Sequence, residues 1–388
     1  MKKTVVIENG MVITPSEAIE KGVVVFEDGK ITAVGQKNRV KVPRSAKVIN
    51  ASGKIVAPGF IDIHVHGGKG RDVMDTSREA VKDIAKFVVS HGTTSFVPTT
   101  ISAPHSELLR AVKAVKMEME KETDGAEILG AHLEGPYINL EKRGAHDANY
   151  VKLPSMDEFE ELWEASNRAV KIVTLAPELE GSKMLIEKLR ELGIVASIGH
   201  SNATYIQAVN AMKSGVRHAT HMFNRMSDFD PREPGVVGAV LVHDEVTAEL
   251  ICDGIHVHPA AMNLLTQVKG PERVVLVTDA IRAAGMLDGE YALGKQRIIV
   301  KDGVSMLESG DFAGSTLTMD RAVRNIMRLV ETPLQTAVKM ATINPAAVVN
   351  VDENKGSLEP GKDADIVIID DEINVYLTIV KGKIVYRS

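Results

Sequence analysis

The sequence predicts a (β/α)8 TIM-like barrel joined to a small β-sandwich domain built from both chain ends. Three observations predict it. The chain has 388 residues, too many for one ordinary core but suited to a barrel with an accessory domain. Its middle alternates short apolar stretches with amphipathic ones. Its two ends carry strands and turn signals without helical periodicity.

At the start, Thr4-Val-Val-Ile7 runs to Asn9-Gly10, and Gly22-Val-Val-Val-Phe26 runs to Asp28-Gly29 before Ile31-Thr-Ala-Val34. Asn-Gly and Asp-Gly tolerate the positive φ angles of tight hairpins. Asp365–Ile369, Val375–Val380 and Ile384-Val-Tyr386 repeat that texture at the other end. Neither end suffices for its own core, so residues 1–56 and 356–388 are expected to pair beside a catalytic barrel of residues 57–355. Eight barrel strands are expected at Phe60–His66, Ser95–Thr99, Ile128–Glu134, Lys171–Ala176, Val195–His200, His218–Phe223, Val246–Cys252 and Val274–Asp279. Helical patterns separate most of them: Ser77–His91, Ser106–Lys121, Met156–Ala165, Gly181–Leu192, Thr204–Ser214 and Pro259–Val268. Residues 291–316 break the alternation as an inserted β-hairpin, and helices return at Leu317–Glu331 and Pro333–Ile343. No G-x-G-x-x-G turn follows the first strand, which argues against a dinucleotide-binding open sheet.

The bulk numbers exclude several functions. Hydrophobic content of 44% and charged content of 25% belong to a soluble globular chain. A formal net charge of -6 offers no basic surface to nucleic acid. The apolar run Gly235–Val242 is far too short to span a membrane, and the run after Lys2 and Lys3 stops at Glu8, too early for a signal peptide. One cysteine, Cys252, rules out an intramolecular disulfide. A cytoplasmic enzyme is expected.

Barrel enzymes place their chemistry at the C-terminal ends of the strands. In Pro58-Gly-Phe-Ile-Asp-Ile-His-Val-His66, side chains alternate, so Asp62, His64 and His66 share a face. Two imidazoles there form a metal-ligand arrangement. The third strand ends in His132-Leu-Glu134-Gly-Pro136, the fifth in Gly199-His200-Ser201 and the sixth in His221-Met-Phe-Asn224. Asp253-Gly-Ile-His256-Val-His258 follows the seventh, and the eighth ends in Thr278-Asp279-Ala280. Glu134 in an apolar strand demands a strong partner such as a cation. His132 is read as a deeper, hydrogen-bonded residue. Of the pairs His218/His221 and His256/His258, His221 and His256 are the functional candidates. His91, His105 and His243 are read as structural.

These segments, with Gly314-Ser-Thr-Leu-Thr318 and the return Gly356–Asp365, resemble the amidohydrolase superfamily along nearly the whole chain. Within it they are similar to deacetylases of N-acetylated amino-sugar 6-phosphates. The resemblance implies one or two divalent cations, zinc or iron, held by Glu134, His200, His221, His64 and His66. It implies that Asp279 shuttles the proton and that His256 polarises the amide carbonyl. His146 and Asn224 would contact the sugar phosphate, and Arg232 would bind the phosphate, near a partner subunit in a homodimer. The segment 128–138 contains no Lys, which excludes a carbamylated bridging lysine. Arg225 stands where relatives commonly have Ala; it is a further substrate-binding candidate. The implied substrate is N-acetylglucosamine 6-phosphate, with its galactosamine epimer or another amide as the alternative.

Overall fold

The computed structural model describes residues 4–121 and 124–388; Lys2 and Lys3 lie outside them. Its central sheet is a parallel barrel of strands Phe60–Val65, Thr93–Thr100, Ala131–Glu134, Val170–Leu175, Val195–Ile198, Val216–Ala219, Thr247–Ile251 and Val274–Val277. They pair in chain order. The ring closes where Asp279 N donates to His64 O at 2.9 Å and Val65 bridges Ala280 in parallel. Helices lie between the strands and bury one apolar stripe each; Arg78–Val89, for example, buries Val81, Ile84, Ala85 and Val88. Its N-cap Ser77 accepts from Ala80 N, which satisfies an amide that the first turn leaves free. Gly235–Val242 is also a helix, almost entirely buried, which explains a pattern with no polar face.

The strand ends depart from the sequence reading in one consistent way. The expected strands Val195–His200, His218–Phe223 and Val274–Asp279 stop at Ile198, Ala219 and Val277. His200, His221 and Asp279 lie just beyond and hold positive φ angles of 47°, 31° and 48°. Left-handed backbone breaks the ladder, so strand parity ceases to govern side-chain direction.

The two chain ends build one further sheet. Its order is Lys383–Arg387, Val375–Val380, Ile366–Ile369, Ile55–Pro58, Thr4–Ile13, Ala18–Glu27 and Lys30–Gln36, with Lys47–Asn50 paired to Thr4–Ile13. Residues from both flanks, including Ile7, Val24, Phe26, Ile366, Ile368 and Leu377, share one core, and Lys30 bridges Asp363. The sheet therefore curls over a single apolar filling. At its junction with the barrel, buried Lys355 Nζ contacts Asp365 and Glu127 at 2.6 Å and Asp363 at 2.9 Å. The three carboxylates cluster closely enough to hold a metal, but that ammonium already fills the place.

The insertion is larger than the expected hairpin. It is three-stranded, Gly289–Leu293, Gln296–Lys301 and Val304–Leu307. Leu293, Ile298 and Val300 pack with Ile101, Ala145 and Ile281, so it roofs one side of the barrel mouth.

Candidate metal-dependent active site

Six of the residues singled out at strand ends converge at the barrel mouth. Glu134 Oε1 lies 3.1 Å from His200 Nε2 and 3.0 Å from His221 Nε2, and those two nitrogens are 3.0 Å apart. Beside them, His64 Nε2 and His66 Nε2 are 3.3 Å apart, with Asp279 Oδ1 at 3.6 Å and 3.2 Å. Glu134 links the groups: Oε1 is 3.5 Å from His64 Nε2 and Oε2 is 3.2 Å from His66 Nε2. All six side chains are buried.

The hydrogen bonds behind the rings decide what these nitrogens can do. His200 Nδ1 donates to Lys142 O at 2.8 Å, His64 Nδ1 to Glu249 Oε2 at 2.9 Å and His66 Nδ1 to Thr99 O at 3.2 Å. A neutral ring that donates from Nδ1 turns a lone pair outward at Nε2. The lone pairs of His64 Nε2 and His66 Nε2, 3.3 Å apart, repel unless a cation or protons lie between them. A divalent ion with ligands at about 2.0–2.1 Å in a tetrahedron separates those ligands by roughly 3.3 Å. The donor sets therefore fit a cation, and two adjacent positions are available, Glu134/His200/His221 and His64/His66/Asp279.

Electrostatics agree. Burial pushes the Glu134 carboxyl up, but the His64 charge, with His146, His200 and His221 in contact, holds it well below the carboxylate range. Asp279 is likewise lowered by His64 and His66 against burial. Burial opposes charge on His66, yet Asp279 and Glu134 lift it to about 9. Burial takes His200 down to about 4, leaving its ring neutral. Two buried carboxylates thus draw positive charge into the site.

The remaining candidates separate by geometry. His132 is fully buried; Nε2 meets Thr174 Oγ1 at 2.7 Å and Nδ1 meets Ile63 O at 3.2 Å, so both nitrogens are spent in the barrel interior. His146 differs from the ligand histidines. Ser102 N donates to its Nδ1 at 3.1 Å, so its proton sits on Nε2, 3.4 Å from Glu134 Oε2. It donates to Glu134 rather than offering a lone pair. Gly135 permits this contact, since a Cβ there would lie 2.4 Å from Ser102 Oγ and 3.2 Å from His146 Nδ1. His256 lines the cavity with its Nδ1 2.6 Å from Asp253 Oδ2 and Phe312 against its ring, whereas His258 caps the helix Pro259–Lys269.

These groups open on a cavity of about 340 Å³ lined by His66, Glu134, His146, His256 and Asp279, and also by Asn224 and Arg225. Arg225 Nη2 pairs with Asp311 Oδ1 of the insertion at 2.8 Å. Arg232 does not line the cavity of its own chain. Its side chain is 89% exposed and meets Asp230 of the same loop. His91, His105 and His243 pair with Asp320, Glu161 and Glu245 on the outside. Glu249 escaped the sequence reading, although a lone carboxylate in the apolar strand Thr247–Ile251 is the same signal that marked Glu134.

Residues 55–385 match the amidohydrolase family. The chain belongs to the amidohydrolase family. It is 37% identical to the N-acetylglucosamine-6-phosphate deacetylase of Bacillus subtilis (strain 168), over 100% of this chain and 98% of that protein. It is 38% identical to the N-acetylgalactosamine-6-phosphate deacetylase of Escherichia coli O157:H7, over 92% and 93%. Among solved structures, a variant of the Mycobacterium smegmatis N-acetylglucosamine-6-phosphate deacetylase in complex with N-acetylglucosamine 6-phosphate superposes with a TM-score of 0.92 at 33% identity, covering 99% of both chains. The Thermotoga maritima enzyme of that name superposes with a TM-score of 0.89 at 35% identity, covering 99% of this chain and 100% of that one. The terminal sheet and the closed parallel barrel are thus a shared architecture.

Proposed function

We propose that the chain hydrolyses N-acetylglucosamine 6-phosphate to acetate and glucosamine 6-phosphate. One observation carries the reading: a carboxylate, Asp279, that shares a buried donor set with His66 lines the same cavity as the guanidinium of Arg225. An acid–base group and a cation in one cavity match a substrate that carries both an amide and a phosphate. The full-length relatives named above support the same reading.

Glu134, His200 and His221 would hold one divalent cation, and His64 and His66 a second; imidazole with carboxylate suits zinc or iron. When bound, such a cation supplies Lewis acidity and makes water more acidic. Asp279 accepts the proton of the attacking water and passes it to the departing nitrogen as the C–N bond breaks, because an amide anion is a poor leaving group. His256, held by Asp253, polarises the carbonyl oxygen as it gains negative charge. Asn224 and Arg225 receive the phosphate; a guanidinium can give it two parallel hydrogen bonds. His146 holds Glu134 and faces the sugar.

Residues 1–56 with 356–388 would form the accessory β-domain and 57–355 the catalytic barrel, in a cytoplasmic homodimer. Exposed Arg232, with Phe229 of the same loop 58% exposed, would then reach the phosphate site of the second subunit. Among the described residues no helix is long and apolar enough to cross a membrane. The galactosamine epimer is the second reading, favoured by the similarity to the E. coli O157:H7 enzyme. Acetate release from both N-acetylated sugar 6-phosphates and from unphosphorylated N-acetylglucosamine, on protein of counted metal content, tests the proposal. Turnover of the phosphate esters alone supports it. Turnover of neither ester by metal-loaded protein would refute it.

A further inference from the structure

Glu249 is fully buried, takes no part in the chemistry above and spends both oxygens on histidine residues, two of them in the site. Oε2 accepts from His64 Nδ1 at 2.9 Å and from His221 backbone N at 3.0 Å. Oε1 meets His218 Nε2 at 3.1 Å, whose Nδ1 meets Thr247 Oγ1 at 2.7 Å. These partners come from the first and sixth strands, so the carboxylate crosses the barrel interior from the seventh. His64, His132 and Glu249 also lie close enough together to hold an ion. Both nitrogens of His132 are spent, however, and Glu249 meets the face of His64 that points away from Glu134. It stands behind a ligand and is not a ligand itself.

A buried carboxylate is costly, and an apolar side chain of similar volume would stabilise the barrel as well or better. Its placement therefore points to a task. A carboxylate behind a ligand histidine fixes the ring's tautomer and makes its outward nitrogen a stronger donor. His200 has only the neutral Lys142 carbonyl behind it, and His66 only that of Thr99. His64 alone of the three has a charged group there. We infer that Glu249 is a positioning residue that makes the His64/His66 position a second cation site and ties it to the backbone of His221. The inference rests on reading the two donor sets as cation positions.

The test is equilibrium dialysis of the full chain against Zn²⁺ alone, comparing wild type with Glu249→Gln, Glu249→Asp and His64→Asn. Gln keeps an oxygen for His64 and His221, and its amide meets His218 once that ring's proton moves to Nδ1, so the fold is retained and the charge lost. Wild type should bind two cations per chain. Glu249→Gln should lose about 10- to 100-fold in affinity at one position. Glu249→Asp should recover part of that loss. In the His64→Asn background, where one cation remains, Glu249→Gln should change nothing further. Two cations held by Glu249→Gln as tightly as by wild type would overturn the inference, as would equal weakening of both. Wild type that binds one cation would instead overturn the two-position reading beneath it, while leaving the deacetylase assay to be judged separately.

Discussion

Replacing Arg225 by Ala separates phosphate recognition from chemistry. The guanidinium faces a cavity that reaches Asp279, yet in the free protein it pairs with Asp311. Hydrogen bonds from a charged donor are worth about 1.5–3 kcal/mol. Against this stands the ion pair that the phosphate must displace. The two side chains are 32% and 45% exposed, so water screens their attraction and the pair is worth at most about 1 kcal/mol. The net contribution is about 1–2 kcal/mol, or roughly 5- to 30-fold in kcat/KM. Arg225→Ala should therefore lower kcat/KM for N-acetylglucosamine 6-phosphate by that factor, mainly through KM, and leave turnover of unphosphorylated N-acetylglucosamine unchanged. Asp311→Asn should act in the opposite direction by up to about fivefold, since it removes the competitor. Coupled acetate detection on both substrates reads all of this. Equal losses on the two substrates, or none on the phosphate ester, would refute the reasoning.

Asp279→Asn should retain substrate binding and lose about 10²- to 10⁴-fold in kcat, with metal content counted alongside because Asp279 shares a donor set with His64 and His66. Normal turnover in that variant would remove Asp279 from the proton path. Arg232→Ala should raise KM for the phosphorylated sugar only in protein that sedimentation shows to be dimeric; the same effect in a monomer would contradict contact across subunits. Lys355→Met should cost about 3–5 kcal/mol in a chemical denaturation series, because it strands Asp363, Asp365 and Glu127 without their cation. Burial opposes charge on Lys355, but Asp365 and Glu127 outweigh it and hold the ammonium's pKa above 10.5. A raised lysine pKa contributes stability that is complete below the unfolded value and is lost as pH climbs through the folded one. The gap between wild type and Lys355→Met should thus stay level through neutral pH and narrow above about 10.5. A gap that narrowed near neutral pH would contradict the burial of this ion pair.

Much of this was legible in the chain. Short continuous apolar stretches between amphipathic ones announce a parallel barrel because both faces of such strands are covered. His64 and His66 reach one face through strand alternation alone, a local property that needs no tertiary knowledge. Glu134 is marked by its apolar surroundings, since burial without a partner is prohibitive. His200, His221 and Asp279 were legible as types at strand ends. Their direction was not, because each sits on left-handed backbone past the last ladder bond. Such conformations cost about 1 kcal/mol or more and persist only where surrounding structure imposes them.

The sequence by itself determined the alternation of elements, the pairing of the two ends and the residue types offered at the barrel mouth. These follow from backbone periodicity and from the cost of burying polar groups. Tertiary structure alone decided which of those groups meet and in what protonation state. Ser102 N, far along the chain, makes His146 a donor to Glu134 while Lys142 O makes His200 an acceptor. The fold of the insertion brings Asp311 to Arg225, and the turn of an exposed loop carries Arg232 out of its own cavity. Hydrogen-bond direction and ion pairing act over a few ångströms between segments distant in sequence, so only the packed chain sets them.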